Sequence, residues 1–348
     1  MSGMPFSYDQ RSRARAIEGS NPRNEMQKSP VTEVDNPSQI AWQGPGLKLG
    51  LFLPHSGPLA SARFLKEVAV EAEQLGFTAL WVVDAPARPP GRRMAHFYEP
   101  LTILGWLAAV TSRIALGTGV LVLPYRNAVL LARSLATIDQ LSEGRLILGV
   151  GVGHVESENR ILGAPPYQER GRVSNEWLRI LSSFWTDEQP HFSGRYVRFE
   201  AQELYPGPRP IQVPRPPILV GGATRAAMRR ALRYGDGYFP IVSSIEKMKQ
   251  QFTMLEEEAE RQARSLDGFP ILALGWSNIL SAPDTMDRDR EMLTGTTVQV
   301  AGDLLRLQEL GLRHVGLFFR QASTEDEFRR QMQAAAREII PTLARSAQ

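Results

Sequence analysis

Two glycine-rich stretches hold the residue types best suited to chemistry. Arg145 to His154 reads RLILGVGVGH, with Leu146, Ile147, Leu148, Val150 and Val152 threaded by Gly149, Gly151 and Gly153. Branched apolar residues suit a buried parallel strand. Glycine at its end tolerates positive φ and lets a flat or anionic ligand lie directly on main chain. His154, at the tip, is the best-placed acid/base or hydrogen-bond donor, with an ordinary loop histidine as the alternative. The second stretch is Gly221-Gly222-Ala223-Thr224. Thr224 is suited to cap a following helix whose first N–H groups would face an anion, with Arg225 adding charge; a simple capped turn is the alternative.

Other chemistries lack their residues. There is no cysteine, which removes disulfides, thiol catalysis and Cys-ligated metals. His55, His96, His154, His191 and His314 show no HxH or HExxH spacing, so no metal site is expected. No GxSxG elbow appears. The GVGVG run lacks the GxGxxG spacing, and no helix clearly starts at Gly153, which argues against a dinucleotide site.

Elements that could position these stretches alternate along the chain. Strands are expected at Leu47–Leu53, Ala79–Val83, Ile114–Val122, the stretch from Arg145, Ile218–Val220, Tyr238–Ile241, Pro270–Trp276 and His314–Phe319. Helices are expected at Phe64–Leu75, Pro100–Val110, Leu130–Leu141, Glu169–Trp185, Thr224–Tyr234, Ile245–Leu266, Leu304–Leu310 and onward from Thr324, several stopped by glycine. Eight strands alternating with helices point to a closed α/β fold, a (β/α)8 TIM barrel, with a doubly wound open sheet as the competitor. An insertion from about Val155 to Pro217, including a hairpin at His191–Phe199, would hang between the fourth and fifth strands. Residues 1–44 are polar and aperiodic and read as a flexible arm or a strap over the body, with the barrel domain over 45–345.

In barrel enzymes the working face is built from loops after the strands. By position this gives His55, Asp84, Thr118 to Val120, Gly151 to His154, Gly221 to Thr224, Trp276 and Arg320. The loop over 86–97, rich in Pro and Arg, is long enough to be functional.

Bulk properties narrow the class further. The 348 residues are 43% hydrophobic and 22% charged, as in a soluble globular protein. Forty basic against 37 acidic side chains give only +3, with no long basic block, which disfavours nucleic acid. No apolar run approaches the roughly 20 residues that span a bilayer, and no signal-peptide pattern opens the chain. A cytoplasmic protein is expected.

Three segments together resemble the bacterial luciferase-like (LLM class) flavin-dependent oxidoreductases. They are Ile114–Pro124 (IALGTGVLVLP), Ala132–Gly153 (ARSLATIDQLSEGRLILGVGVG) and Ile218–Gly237 (ILVGGATRAAMRRALRYGDG). The resemblance runs over about 47–340. It implies a (β/α)8 barrel holding reduced FMN, or the deazaflavin coenzyme F-420, at the strand C-terminal ends. It further implies a non-proline cis peptide at Gly119–Val120 beneath the ring, and a phosphate near Gly153-His154 and Gly221 to Thr224. Cofactor-binding residues would be Thr118, Gly119, Val120, Gly151, Gly153, His154, Gly221, Gly222, Ala223 and Thr224; His154 and Asp84 would be catalytic.

Three positions depart from family patterns. A histidine that many members carry after the acid ending the second strand is Ala85 here. An arginine that grips FMN phosphate in the luciferases is Val152. The acid of the sugar-phosphate dehydrogenases is His154. The resemblance implies monooxygenation of a small organic substrate with FMN and dioxygen, a flavin reductase supplying reduced cofactor, and a homo-oligomer. Hydride transfer from the deazaflavin and a non-catalytic flavin-binding barrel are the alternatives.

Overall fold

The computed structural model describes residues 37–86, 97–204, 207–282 and 290–346. Most of the expected arm and of the 86–97 loop therefore lies outside the described residues. In chain order the strands are β1 (Lys48–Phe52), β2 (Ala79–Val82), β3 (Ala115–Val122) and β4 (Leu146–Gly151). A hairpin of β5 (Phe192–Ser193) and β6 (Arg198–Phe199) follows, then β7 (Ile218–Gly221), β8 (Gly237–Phe239) and β9 (Leu272–Trp276). A short parallel pair, β10 (Asn278–Ile279) and β11 (Thr294–Gly295), precedes β12 (His314–Phe318).

Eight of these pair in parallel in the order β8-β7-β4-β3-β2-β1-β12-β9. Bridges from Tyr238 to Ile271 and from Ile241 to Leu274 join the two remaining edges, so the sheet closes into a barrel. The helices are α1 (Ala62–Gln74), α2 (Pro100–Val110), α3 (Ala128–Leu141), α4 (Glu156–Ile161), α5 (Arg170–Thr186), α6 (Arg225–Tyr234), α7 (Ile245–Arg261), α8 (Thr297–Glu309), α9 (Glu325–Ala334) and α10 (Ile340–Arg345). A turn of wider π geometry, Ala335–Ile339, joins α9 to α10 just before Pro341, which has no N–H to give the regular ladder.

The segment between β4 and β7 is less of an insertion than its sequence suggests. Helix α5 packs between α3 and α6 and completes the outer ring. Trp185 Nε1 donates to the Ala132 carbonyl at 3.0 Å, and Arg230 Nε to Asn175 Oδ1 at 2.7 Å. The true additions are α4 and the β5–β6 hairpin. The hairpin is tied to α5 by buried Glu176, whose carboxylate accepts the N–H groups of Arg195, Tyr196 and Val197.

The barrel interior is packed. Trp81 is wholly buried there, and an added Cβ at Gly50, Gly117 or Gly316 would stand within 3 Å of its indole. Three inward glycines thus make room for one large ring, the large-against-small packing that fills small barrels. At the strand N-terminal end, a short piece of the expected arm or strap lies against the barrel. Pro37–Ala41 forms a short helical turn over the barrel floor. Ser38 N donates to the Gly144 carbonyl at 3.2 Å, and the Ala41 carbonyl accepts from His314 Nδ1 at 2.7 Å.

Candidate functional site at the barrel mouth

The site grows from the way β3 leaves its neighbours. Its ladder to β2 ends at Val82–Thr118, and its pairing with β4 is interrupted between Thr118 and Leu121. Side chains replace the missing ladder on both sides. The Thr118 hydroxyl donates to the Gly149 carbonyl at 2.7 Å, and Val122 N–H donates to Asp84 Oδ2 at 2.9 Å. Between these clasps lies Gly119–Val120, whose peptide is cis.

Val120 is half-buried and sits between two glycine tips. A Cβ at Gly151 would stand 2.7 Å from Val120 Cγ2, and one at Gly221 2.8 Å from its Cγ1. Larger residues at either glycine would displace Val120. The tips of β3, β4 and β7 therefore form a floor of main chain and one small apolar side chain, the surface a flat ring needs.

Beside this floor the chain turns sharply twice, at Gly153 (φ 78°) and Gly222 (φ 118°), conformations glycine adopts without a Cβ penalty. Thr224 caps α6 by accepting the Ala227 N–H at 3.3 Å, and Gly222, Ala223 and Thr224 are exposed. Arg225 does not serve this end: it pairs with Glu257 at 2.5 Å and Glu258 at 3.4 Å on α7. Sequence reasoning missed Tyr238, whose buried hydroxyl lies 2.9 Å from both the Gly222 carbonyl and Gln251 Oε1 and so supports the turn. Burial pushes its pKa well above the ordinary value. An aromatic after a Gly-Asp-Gly stop was visible in sequence; its direction was not.

Other expected residues have their side chains committed. Thr118 is fully buried and its hydroxyl is spent on Gly149. Asp84 receives both guanidinium nitrogens of Arg126, at 2.5 and 3.2 Å, besides Val122 N–H. Burial pulls the Arg126 pKa down, but Asp84 and Glu99 beside it outweigh this and raise it. His55 is buried with Nδ1 and Nε2 each 3.0 Å from a carbonyl, those of Leu53 and Val83, and burial lowers its pKa. It fastens the ends of β1 and β2 together. His154 is exposed; its imidazole has no hydrogen-bond partner among the described residues, while its carbonyl accepts from Tyr167 at 3.1 Å.

Across the mouth, Phe52 stacks on Phe318 (5.2 Å between centroids) and Phe318 meets Trp276 (4.9 Å). The Arg320 guanidinium lies 5.1 Å over the Trp276 ring. Beyond them is a cavity of about 580 Å³. Among the described residues no group of three or more His, Asp or Glu could hold a metal ion.

The family model for luciferase-like monooxygenases matches residues 47–337. The chain belongs to the luciferase-like monooxygenase family. This luciferase-like chain is 33% identical over 264 residues to an FMNH(2)-dependent dimethylsulfone monooxygenase of Pseudomonas putida, covering 75% of this chain and 70% of that one. It is 34% identical over 178 residues to an F420-dependent glucose-6-phosphate dehydrogenase of Kineococcus radiotolerans, about half of each (50% and 51%). In fold it is similar to the monooxygenase RslO1 of Streptomyces bottropensis, with a TM-score of 0.70 at 22% identity over 85% of this chain and 99% of that one.

Proposed function

We propose that this luciferase-like barrel binds reduced FMN across the mouths of β3, β4 and β7 and oxygenates a small organic substrate with dioxygen. The observation that carries the reading is the Val120 floor, flush between Gly151 and Gly221. The FMNH(2)-dependent relative supports it. Reduced FMN, when bound, supplies the electrons for dioxygen chemistry. The chain's own residues bind and orient. Gly119, Val120, Gly151 and Gly221 would bear the ring; Gly153, His154, Gly222, Ala223 and Thr224 would meet the phosphate with main-chain N–H groups and the end of α6. Asp84 and Arg126 act as positioning residues that fix the end of β3. His154, exposed at the rim, is the group able to hold or move a proton there. The Phe52–Phe318–Trp276 wall keeps water from one side of the mouth.

A second reading, hydride transfer from coenzyme F-420, is favoured by the F420-dependent relative. The same floor suits either tricyclic ring. A separate flavin reductase, a homo-oligomer and a cytoplasmic setting complete the proposal. No helix among the described residues is long and apolar enough to cross a membrane.

Titration with FMN and with the deazaflavin, followed by fluorescence quenching, tests this. Saturable FMN binding at micromolar levels, with substrate-dependent oxygen consumption in the presence of a flavin reductase and NAD(P)H, is the expected result. Binding of the deazaflavin alone would shift the assignment to hydride transfer, and FMN binding without any turnover would leave a flavin-binding barrel. Binding of neither would defeat the reading.

A further inference from the structure

We propose that Tyr238, backed by Gln251, sets the preference of the site for a flavin that carries a phosphate, by aiming one main-chain N–H, that of Ala223, toward it. The inference rests on the flavin reading and deepens it, since it assigns the residues behind the phosphate turn. Tyr238 lies on β8 and is wholly buried, so it is a positioning residue that acts through another group. Gln251 reaches it from α7.

The turn depends on main chain because its own polar side chains are occupied. The Thr224 hydroxyl accepts the Ala227 N–H. Arg225 is turned to Glu257 and Glu258 on α7. An anion at the mouth of β7 is therefore held by peptide N–H groups, and the direction of each peptide decides how well.

One of those directions can be read from Tyr238. The Gly222–Ala223 peptide is trans, so its C=O and its N–H point opposite ways. The Gly222 carbonyl points inward, to the Tyr238 hydroxyl at 2.9 Å. The Ala223 N–H of the same peptide therefore points outward at the exposed rim, and it has no acceptor among the described residues.

A count of protons fixes the sense of the bond. The Tyr238 hydroxyl has one proton, and the Gly222 carbonyl can only accept, so the proton goes to Gly222. The phenol oxygen then accepts from the Gln251 side-chain amide, whose oxygen and nitrogen ends exchange by a half-turn. Gly222 has φ 118° and no Cβ, so its own side chain offers no resistance to rotation of the peptide that follows. The glycine that lets the chain turn thus leaves that peptide loose, and the Tyr238 bond takes up the slack.

The test compares FMN with riboflavin, its phosphate-free form, by quenching of flavin fluorescence in the parent and in Tyr238→Phe. Loss of one N–H to a charged acceptor corresponds to roughly tenfold or more in affinity. Tyr238→Phe should weaken FMN by about that factor and leave riboflavin within about twofold. It should also return the phosphorus resonance of bound FMN toward that of free FMN. Gln251→Met, which keeps the hydroxyl but removes its support, should weaken FMN less than Tyr238→Phe does and again spare riboflavin. A purely structural role would weaken both flavins together; that outcome, or unchanged FMN affinity in Tyr238→Phe, would overturn the assignment. A parent that binds riboflavin as tightly as FMN would overturn it too. Failure of the parent to bind either flavin would instead remove the flavin reading on which the assignment rests.

Discussion

Asp84 and His154 are the two side chains the sequence nominates for proton chemistry, and their surroundings separate them. Asp84 has a side chain 1% exposed and three N–H groups upon it, from Arg126 and Val122. Asparagine keeps the shape but turns one acceptor into a donor facing another donor. Breaking a buried pair in this way costs about 3–5 kcal/mol. Asp84→Asn should therefore lower the unfolding free energy in urea by about 3 kcal/mol and weaken FMN at least tenfold, as Val122 loses its anchor. Native stability and FMN affinity with no turnover would make Asp84 catalytic after all. His154 has no such ties, and exposed substitutions of this kind stay within about 0.5 kcal/mol. His154→Ala should leave stability alone and reduce turnover more than FMN affinity; unchanged turnover would return it to an ordinary loop residue.

At the scale of the element, the floor depends on how closely β4 approaches β3. A Cβ at Gly149 would stand 2.1 Å from the Thr118 carbonyl oxygen, which is backbone and has little room to yield. Gly149→Ala should part the strands beside Gly119–Val120, costing on the order of 1–3 kcal/mol of stability as overpacking does. FMN affinity should fall with it. Gly302→Ala is the control: it lies inside α8 with nothing within 4 Å of the new methyl, and should stabilise by about 0.5–1 kcal/mol. If both variants unfold at the same urea concentration as the parent, close approach is not what Gly149 is for. This contrast also shows what sequence could tell. Apolar runs ended by glycine revealed the eight strands and the helices between them, because both signals are local. They hid the first two turns of α8, where Thr297, Val298 and Val300 look strand-like, although Thr296 and Gln299 already formed a capping box. They also hid the packing of α5 between α3 and α6, a long-range matter, and let Arg225 stand near the anion end when its partners are on α7. Type and spacing place a residue at the mouth; only packing decides whether its side chain is free there.

Over the whole molecule the barrel is open at the mouth and closed at the floor, and one histidine links that closure to pH. His314 is fully buried. Its Nδ1 is 2.7 Å from the Ala41 carbonyl, which can only accept, and its Nε2 is 2.9 Å from Trp81 Nε1, which can only donate. The ring is therefore neutral with its proton on Nδ1, and a second proton would set N–H against N–H. Burial pushes its pKa down from 6.5 to about 4. Between those values the unfolded chain binds the proton and the folded one does not, so stability rises with pH. The contribution is complete above pH 6.5 and is lost as pH falls toward 4, in all about 3 kcal/mol from the shift in pKa. Carboxylates titrate over part of the same range, so the informative quantity is the difference from a His314→Gln variant. That variant should be less stable at pH 7 and should lose less of its remaining urea stability on acidification than the parent does. Parallel losses in the two proteins would mean that His314 takes up its proton as readily in the fold as in the unfolded chain, and that the floor formed by Pro37–Ala41 is held by packing alone.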